Sequence, residues 1–87
     1  MTRFQYTIQD KIGLHARPVG LVAKVVAQFH DSNITISCGD QTADAKRIFA
    51  MMALQARQGD TITVCIDGGD EQLIADAIRN VFVSENL

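Results

Sequence analysis

The sequence has no tryptophan, one proline and two cysteines, and these shortages exclude several classes of protein. Two cysteines, Cys38 and Cys65, are too few for the disulfide framework of a small secreted domain or for a four-ligand metal site. The two histidines, His15 and His30, are also too far apart in the chain to favour a zinc site. We therefore expect reduced cysteines, no metal ion and no cofactor.

Long hydrophobic runs are also missing. The longest apolar stretches, such as Val19 to Ala23, are far too short to span a bilayer, so no membrane insertion is expected. The residues from Met1 to Tyr6 contain no apolar core of the kind found in a secretory signal peptide. Together these observations predict a cytoplasmic protein.

Charge of neither sign dominates the sequence. Eight basic and ten acidic residues give a formal net charge of −2, and nucleic acid is not an expected partner because its binding needs a dense basic surface. The 87 residues, 47% of them hydrophobic and 21% charged, suit one globular domain over residues 1–87. Such a short chain cannot enclose a deep substrate chamber, so any activity should lie at its surface.

Alternation of apolar and polar side chains predicts three strands, because successive side chains of a strand point to opposite faces. The alternating apolar positions are Phe4, Tyr6 and Ile8 in the first strand, Ile34 and Ile36 in the second, and Ile62, Val64 and Ile66 in the last. The segment from Ser37 to Gln41 is typical of a strand end and a tight turn, and it predicts a short return strand through Gln41, Thr42 and Ala43.

Apolar residues at helical spacing predict three helices between and after these strands. We place them at Arg17 to Phe29, Lys46 to Ala56 and Asp70 to about Glu85. Asp70 is a suitable N-cap for the third helix. The expected apolar stripe of that helix consists of Leu73, Ile74, Ala77, Ile78, Val81 and Phe82.

The order β-α-β-β-α-β-α, without repeats or an interdomain linker, predicts the architecture. Strands that carry threonine and glutamine on one face indicate a mostly antiparallel sheet covered by helices on the other face only. The fold class is therefore α+β, a two-layer sandwich. Cys38 is in phase with the apolar positions of its strand and Cys65 is out of phase with those of its own, so the two thiols should leave opposite faces without forming a disulfide.

The chemically informative segment runs from Gly13 to Pro18 and reads GLHARP. Pro18 fits the first helical turn, where a missing N–H costs nothing, and it predicts that the helix proper begins near this residue. Gly13 lets the chain turn sharply before the helix. His15, Ala16 and Arg17 then lie at the helix N-terminus, where unpaired N–H groups and the positive end of the dipole attract an anion.

A histidine at this place suits phosphoryl transfer, because neutral imidazole is a good nucleophile near pH 7. A phosphoryl group on a ring nitrogen of His15 would meet the backbone N–H groups of Ala16 and Arg17 and the Arg17 guanidinium, which can bind two oxygens. Phosphoryl transfer depends mainly on positioning and charge stabilisation, so a shallow surface site suffices. A solvated histidine and arginine near a helix start are the alternative interpretation of the same residues.

This segment and the chain around it resemble HPr, the histidine-containing phosphocarrier family of the bacterial sugar phosphotransferase system. The resemblance covers essentially all 87 residues, and Ala45 to Leu54, AKRIFAMMAL, is similar to the regulatory segment of the family. It implies an open-faced sandwich in which four antiparallel strands, ordered 1-4-2-3, carry three helices on one face. It also implies that His15 accepts phosphate on Nδ1 from phospho-enzyme I and passes it to the A domains of sugar permeases, with Arg17 in contact with the phosphoryl group in both transfers.

Two positions depart from the family pattern. Arg47 stands where many members carry a regulatory serine, so control through serine phosphorylation is not expected in this chain. Gln55 stands where a glycine is usual after the second helix. The loss of serine control does not affect the chemistry expected of His15.

A partner-docking surface is expected on the first two helices. The short second helix carries apolar residues on three neighbouring faces, so some must be exposed, and exposed apolar clusters usually mark a partner site. The residues assigned to this surface are Gly20, Leu21, Lys24, Arg47, Ile48, Phe49 and Met52. The three on the first helix are assigned by similarity to the family. Core packing is the alternative for Met51 and Leu54. A basic rim of Arg17, Lys24, Lys46, Arg47 and Arg57 should steer acidic partners towards this surface.

The remaining polar residues near these elements are assigned no chemistry. Asp10 and Lys11 are expected to be solvated loop charges, and His30 a surface residue after the first helix.

The leading function is a phosphoryl carrier between proteins, a monomer that docks in turn on enzyme I and on A-type permease domains and catalyses nothing alone. A second possibility is an HPr-like regulatory adaptor that binds partner proteins without the usual serine switch. A third is a small-molecule-binding domain without phosphate chemistry. The intact segment from Gly13 to Pro18 favours the carrier, because an adaptor needs no nucleophile.

Overall fold

The computed structural model describes residues 1–87, and its strands and helices follow one another in the predicted order. The elements are β1 (Thr2–Thr7), α1 (Ala16–Val26), β2 (Asn33–Cys38), β3 (Gln41–Asp44), α2 (Ile48–Met52), β4 (Thr61–Asp67) and α3 (Glu71–Ser84). All strand pairs are antiparallel, and the strand order is β1-β4-β2-β3. The predicted α+β fold class and strand order are confirmed. No helix has both the length and the hydrophobicity needed to cross a bilayer.

The sheet has one apolar face because its strands alternate in the predicted way. The inward side chains of the central strands are fully or almost fully buried: Ile34 and Ile36 of β2, and Ile62, Val64 and Ile66 of β4. The opposite face carries mostly hydroxyl side chains, and pairs of these, such as Thr7 with Thr61, lie at hydrogen-bond distance across neighbouring strands. The helices therefore cover one face and leave the other open.

Phe82 of α3 is a fully buried aromatic residue, and it fixes that helix over β1. Its ring centroid lies 4.9 Å from that of Tyr6 and 6.2 Å from that of Phe4. Tilted aromatic pairs at these distances contribute beyond the area they bury. The packing places the C-terminal end of α3 beside the N-terminus of α1, where the motif from Gly13 to Pro18 lies.

The predicted helix boundaries need two corrections. α1 ends at Val26, not at Phe29, because the N–H groups of Gln28 and Phe29 donate three residues back and the helix tightens into turns. α2 has only five residues instead of the predicted span from Lys46 to Ala56. Its start is delayed because Asp44 accepts hydrogen bonds from the backbone N–H groups just before the helix.

The third helix begins as predicted, but its buried stripe differs. The Asp70 carboxylate accepts a hydrogen bond from the Leu73 N–H at 3.3 Å, as expected of an N-cap. Leu73 itself is 55% exposed, so its predicted place in the core is wrong. The buried residues of α3 are Ile74, Ala75, Ile78 and Phe82. Leu73 lies on the opposite side of Ile74 from Ala75, so it falls outside this stripe.

The prediction for the two cysteines is confirmed. Both thiols are free. Cys38 packs against the core, and burial raises the pKa of its thiol. Cys65 lies on the open face, between its strand partners Arg3 and Thr35.

Gln55 has a backbone conformation that favours glycine. Its φ is 55°, in the left-handed region, although it is neither glycine nor asparagine. It directly precedes Ala56, whose backbone supports the loop that carries His15. One of the two departures from the family pattern, Gln55, therefore carries backbone strain.

We expect Gln55→Gly to stabilise the fold by about 0.5–1 kcal/mol. The strain relieved is about 1–2 kcal/mol, and the extra flexibility of glycine in the unfolded chain offsets part of it. Thermal unfolding followed by circular dichroism should show a rise of a few degrees in Tm. Gln55→Val is the matched control and should lower Tm, because a β-branched side chain tolerates positive φ poorly. A glycine variant less stable than the parent protein would contradict the assignment of strain.

Candidate functional site

The predicted phosphate-binding segment lies at the N-terminus of α1. His15 is the N-cap residue, with extended backbone, and its carbonyl accepts a hydrogen bond from the Val19 N–H at 3.2 Å. The helix therefore begins at Ala16, one residue before the predicted bound at Arg17, and Pro18 is its third residue. Proline is tolerated there because the first four N–H groups of a helix have no partner within it.

The first turn of α1 leaves two backbone donors free. The N–H groups of Ala16 and Arg17 have no acceptor within the helix, and Pro18 has no N–H. The His15 side chain makes no capping hydrogen bond, and no acidic residue lies in the first turn. Ala16 and Arg17 are both exposed. The end of the helix therefore presents two donors and the positive end of its dipole to solvent.

The loop before His15 is held by two other parts of the chain. The Leu14 N–H donates to the Ala56 carbonyl at 3.0 Å, and the Leu14 side chain is buried. Gly13 has a φ of 82°, and a Cβ at this position would lie 2.5 Å from the same Ala56 oxygen, so only glycine fits. Further back, the N–H of Asp10 donates to the Leu87 carbonyl at 2.8 Å. The loop is thus fixed to the segment after α2 and to Leu87, three residues beyond the end of α3.

Asp10 contacts the imidazole directly. Its Oδ2 lies 3.0 Å from His15 Nε2, and its Oδ1 accepts a hydrogen bond from the Ile12 N–H at 2.9 Å. The prediction that Asp10 is a solvated loop charge is wrong, whereas Lys11 is exposed as expected. The sequence did contain a signal, since an aspartate shortly before a glycine often accepts from the N–H two residues on.

The hydrogen bonds of Asp10 affect its ionisation. The Ile12 N–H, and after it the His15 side chain, hold the pKa of the Asp10 carboxyl below its usual value. A folded-state pKa below the unfolded value of about 3.9 means that ionised Asp10 stabilises the fold at neutral pH. This contribution is lost as the pH falls through the lowered pKa.

Arg17 is anchored at its Nε, while most of its side chain is in solvent. Nε donates to Glu85 Oε1 at 2.6 Å, and the Arg17 side chain is 75% exposed. Glu85 is the C-cap residue of α3, where a carboxylate is unfavourable to the helix dipole unless a cation lies near it. Glu85 is not predictable from the sequence, because only the packing of α3 against β1 brings the end of that helix to Arg17.

The residues predicted for docking lie on α1, on α2 and at the α2 N-cap, and we call them together the α1–α2 surface. Five of the seven are exposed: Lys24, Arg47, Ile48, Phe49 and Met52. Gly20 and Leu21 are half-buried. Phe49 is 86% exposed, a large value for an aromatic side chain with a core beneath it. Met51 and Leu54 are buried in the core, so the packing alternative holds for these two.

One member of the predicted basic rim has another role. The Lys46 ammonium donates hydrogen bonds to the carbonyls of Phe29 and Ser32, at 3.2 and 3.1 Å. It therefore stabilises the loop after α1 instead of presenting its charge freely. Arg17, Lys24, Arg47 and Arg57 are exposed, as expected.

The other titratable candidates do not form a second site. His30 is exposed, as predicted. No three histidine, cysteine, aspartate or glutamate side chains lie close enough together to hold a metal ion. The candidate site therefore consists of His15, Arg17 and the residues that hold them.

Comparisons with known proteins agree with this geometry. The family model for the PTS HPr component phosphorylation site matches residues 2–84. The chain is 37% identical to the phosphocarrier protein HPr of Mycoplasma capricolum over 87 residues, which is 100% of this chain and 97% of that protein. It is also 38% identical over 82 residues to the multiphosphoryl transfer protein of Xanthomonas campestris, covering 94% of this chain and 10% of that one.

A solved structure gives the same result for the fold. The histidine-containing phosphocarrier protein of Mycoplasma superposes with a TM-score of 0.94 at 36% sequence identity, covering 99% of this chain and 97% of that one. With the family model matched over nearly its whole length, the chain belongs to the HPr family, the phosphocarrier proteins of the phosphotransferase system.

Proposed function

We propose that His15 accepts a phosphoryl group on Nδ1 from phospho-enzyme I and passes it to the A domains of sugar permeases, in the cytoplasm. The chain carries the group and performs no chemistry on a small molecule by itself. The observation on which this proposal depends is the position of His15 at the N-cap of α1. There, Nε2 is bonded to Asp10, and Nδ1 is the ring nitrogen without a partner.

The reaction needs little beyond what the first turn supplies. The Nδ1 lone pair attacks phosphorus, the N–P bond forms, and the bond from phosphorus to the donor breaks with its electron pair returning to the donor. The phosphoryl oxygens can then accept from the N–H groups of Ala16 and Arg17. Since charge stabilisation and positioning dominate phosphoryl transfer, two amides and a helix dipole support the step.

In this proposal Arg17 supplies a positive charge that can turn from Glu85 towards the phosphoryl group. Its Nε is bonded to Glu85, but the guanidinium has further N–H groups, and most of the side chain is in solvent. A phosphoryl dianion beside His15 competes with Glu85 for this charge, because guanidinium binds phosphate oxygens strongly and in pairs. The exchange stabilises the phosphorylated form without a rearrangement of the backbone.

The α1–α2 surface is the proposed docking site for both partners. It borders the N-terminus of α1, and it combines exposed apolar side chains with the charges of Lys24 and Arg47. A partner that covers Phe49 removes a large apolar area from water, and the basic residues around it favour an acidic partner.

Neither alternative function gains support. The adaptor interpretation depends on docking alone and leaves the His15 geometry unexplained. The small-molecule interpretation calls for an interior cavity. The pocket found has a volume of about 190 Å³ and is open to solvent. It is lined by Ser32, Asn33, Ile34, Thr35, Asp44 and Lys46.

Incubation with enzyme I and phosphoenolpyruvate should add one phosphoryl group to the protein. Mass spectrometry of the intact protein is expected to detect a modification that is labile in acid and stable in base. The His15→Ala variant should remain unmodified, because it lacks the nucleophile. His30→Ala is the matched control, since His30 is exposed and distant in sequence, and it should be modified as fast as the parent protein. Modification of a hydroxyl group would contradict the proposal.

Arg17→Ala should slow phosphoryl transfer by about 10- to 100-fold, the range lost when one group that stabilises transition-state charge is removed. The measurement is the second-order rate constant for transfer from phospho-enzyme I. Arg3→Ala removes the same charge from the open face of the sheet and should have little effect. Glu85→Gln should retain transfer, because it frees Arg17. Equal rates for the two arginine variants would exclude the proposed role of Arg17.

Phe49→Ala should weaken docking without unfolding the protein. The side chain is largely in solvent, so its removal costs little stability, whereas an interface loses its contact area. We expect a several-fold rise in the KM for this protein in the enzyme I reaction, with little change in Tm. Met51→Ala, on the buried side of the same helix, should instead lower stability by about 2–5 kcal/mol. A Phe49→Ala variant with unchanged KM would place the docking surface elsewhere.

A further inference from the structure

We infer that Asp10 is a positioning residue for phosphoryl transfer, which fixes His15 in the tautomer whose Nδ1 carries the free lone pair. The carboxylate acts through the opposite ring nitrogen, Nε2, at 3.0 Å. This inference rests on the proposed function of His15 and adds a second residue to its chemistry.

The tautomer follows from the donor and acceptor inventory of the two groups. An ionised carboxylate has lone pairs only and can only accept hydrogen bonds. A short contact between Asp10 Oδ2 and His15 Nε2 therefore requires that Nε2 carry the hydrogen. In the neutral imidazole the other nitrogen, Nδ1, then has no hydrogen and is nucleophilic.

The carboxylate is rigid enough to select one tautomer. Its second oxygen, Oδ1, accepts from the Ile12 N–H at 2.9 Å. The backbone of Asp10 is held on both sides, because its N–H donates to Leu87 and its carbonyl accepts from the Gly13 N–H. A carboxylate rotation that released His15 would also break the bond to Ile12. The acceptor therefore stays directed at Nε2 before and during the reaction.

The same contact affects both directions of transfer. When Nδ1 takes the phosphoryl group, Nε2 keeps its hydrogen, and the ring acquires positive charge that the Asp10 carboxylate balances. When the group leaves, the N–P bond breaks and its electron pair returns to Nδ1. The leaving group is then a neutral imidazole, because Nε2 is still protonated. Without the acceptor, a ring that had lost the Nε2 hydrogen would have to leave as an anion, which is far slower.

The Asp10→Asn variant tests this inference, because the local hydrogen bonds determine the orientation of the asparagine amide. The Ile12 N–H is a donor, so the amide oxygen must take the place of Oδ1. The amide NH₂ then faces Nε2 and donates to it, which forces the hydrogen of the ring onto Nδ1. Asp10→Ala, by contrast, removes the bond to Ile12 and leaves the tautomer unbiased by residue 10. The asparagine variant should therefore keep the fold better and the chemistry worse than the alanine variant.

The experiment measures tautomer and transfer separately. The ¹⁵N chemical shifts of the His15 ring in the unphosphorylated protein report which nitrogen carries hydrogen. We expect Nε2–H in the parent protein and Nδ1–H in Asp10→Asn. The rate of transfer from phospho-enzyme I should fall by about tenfold or more in Asp10→Asn, in which the direction of the charge-assisted hydrogen bond is reversed. It should fall by less in Asp10→Ala, in which this hydrogen bond is only lost. The phosphorylated Asp10→Asn protein should also lose its phosphoryl group to water more slowly.

Asp40→Asn, which makes the same change of charge in the β2–β3 turn, is the control and should match the parent protein in every measurement. An Nδ1–H tautomer in the parent protein would overturn the inference even if no variant folded. A transfer rate in Asp10→Asn equal to or higher than that in Asp10→Ala would overturn it as well. If the parent protein is not phosphorylated on His15, the proposed function is refuted instead. The two failures can be distinguished, because the tautomer is measured in the unphosphorylated protein.

Discussion

The first turn of a helix has backbone donors that the helix cannot satisfy, and in α1 the chain leaves them to solvent. Many helices satisfy one with a side-chain cap and place an acid nearby to balance the dipole. In this protein the N-cap is a histidine that makes no capping bond, and the first turn holds no acid. Water can satisfy the N–H groups of Ala16 and Arg17 only because they are exposed. The surface location expected of so short a chain is therefore also what permits an anion site.

An exposed site still has to be rigid, and the loop before α1 achieves this with backbone contacts. Gly13 approaches the Ala56 carbonyl so closely that no side chain fits, and the Asp10 N–H is bonded to Leu87, beyond the end of α3. The loop is thus stabilised by parts of the chain far away in sequence. The strained Gln55 immediately precedes Ala56, so strain is stored in a segment that supports the site.

Much of the fold and the position of His15 can be predicted from the periodicity of the sequence and from one motif. The other features depend on tertiary contacts. Alternation in the strands predicts the faces of the sheet and of Cys38 and Cys65, because the period of a strand is fixed at two. Helix ends are less predictable: α2 is short because Asp44 takes the preceding N–H groups, a competition that composition does not reveal. The motif predicts where His15 lies. It does not predict Glu85, because that contact exists only after α3 has packed on β1.

The charges around His15 explain how a carrier can hold a phosphoryl group and still release it. Asp10 and Glu85 are both carboxylates close to the site, and each would repel a dianion if it were unpaired. In the proposed reaction the His15 ring becomes positive on phosphorylation and would balance Asp10, so the effect of Asp10 would be favourable when charge develops. Glu85 is balanced by Arg17, the residue that the phosphoryl group would also attract. In this proposal, binding the phosphoryl group would weaken an existing ion pair, and discharge would restore that pair. Such a competition would weaken the binding of the phosphoryl group to the protein, which suits a carrier that has to release the group again.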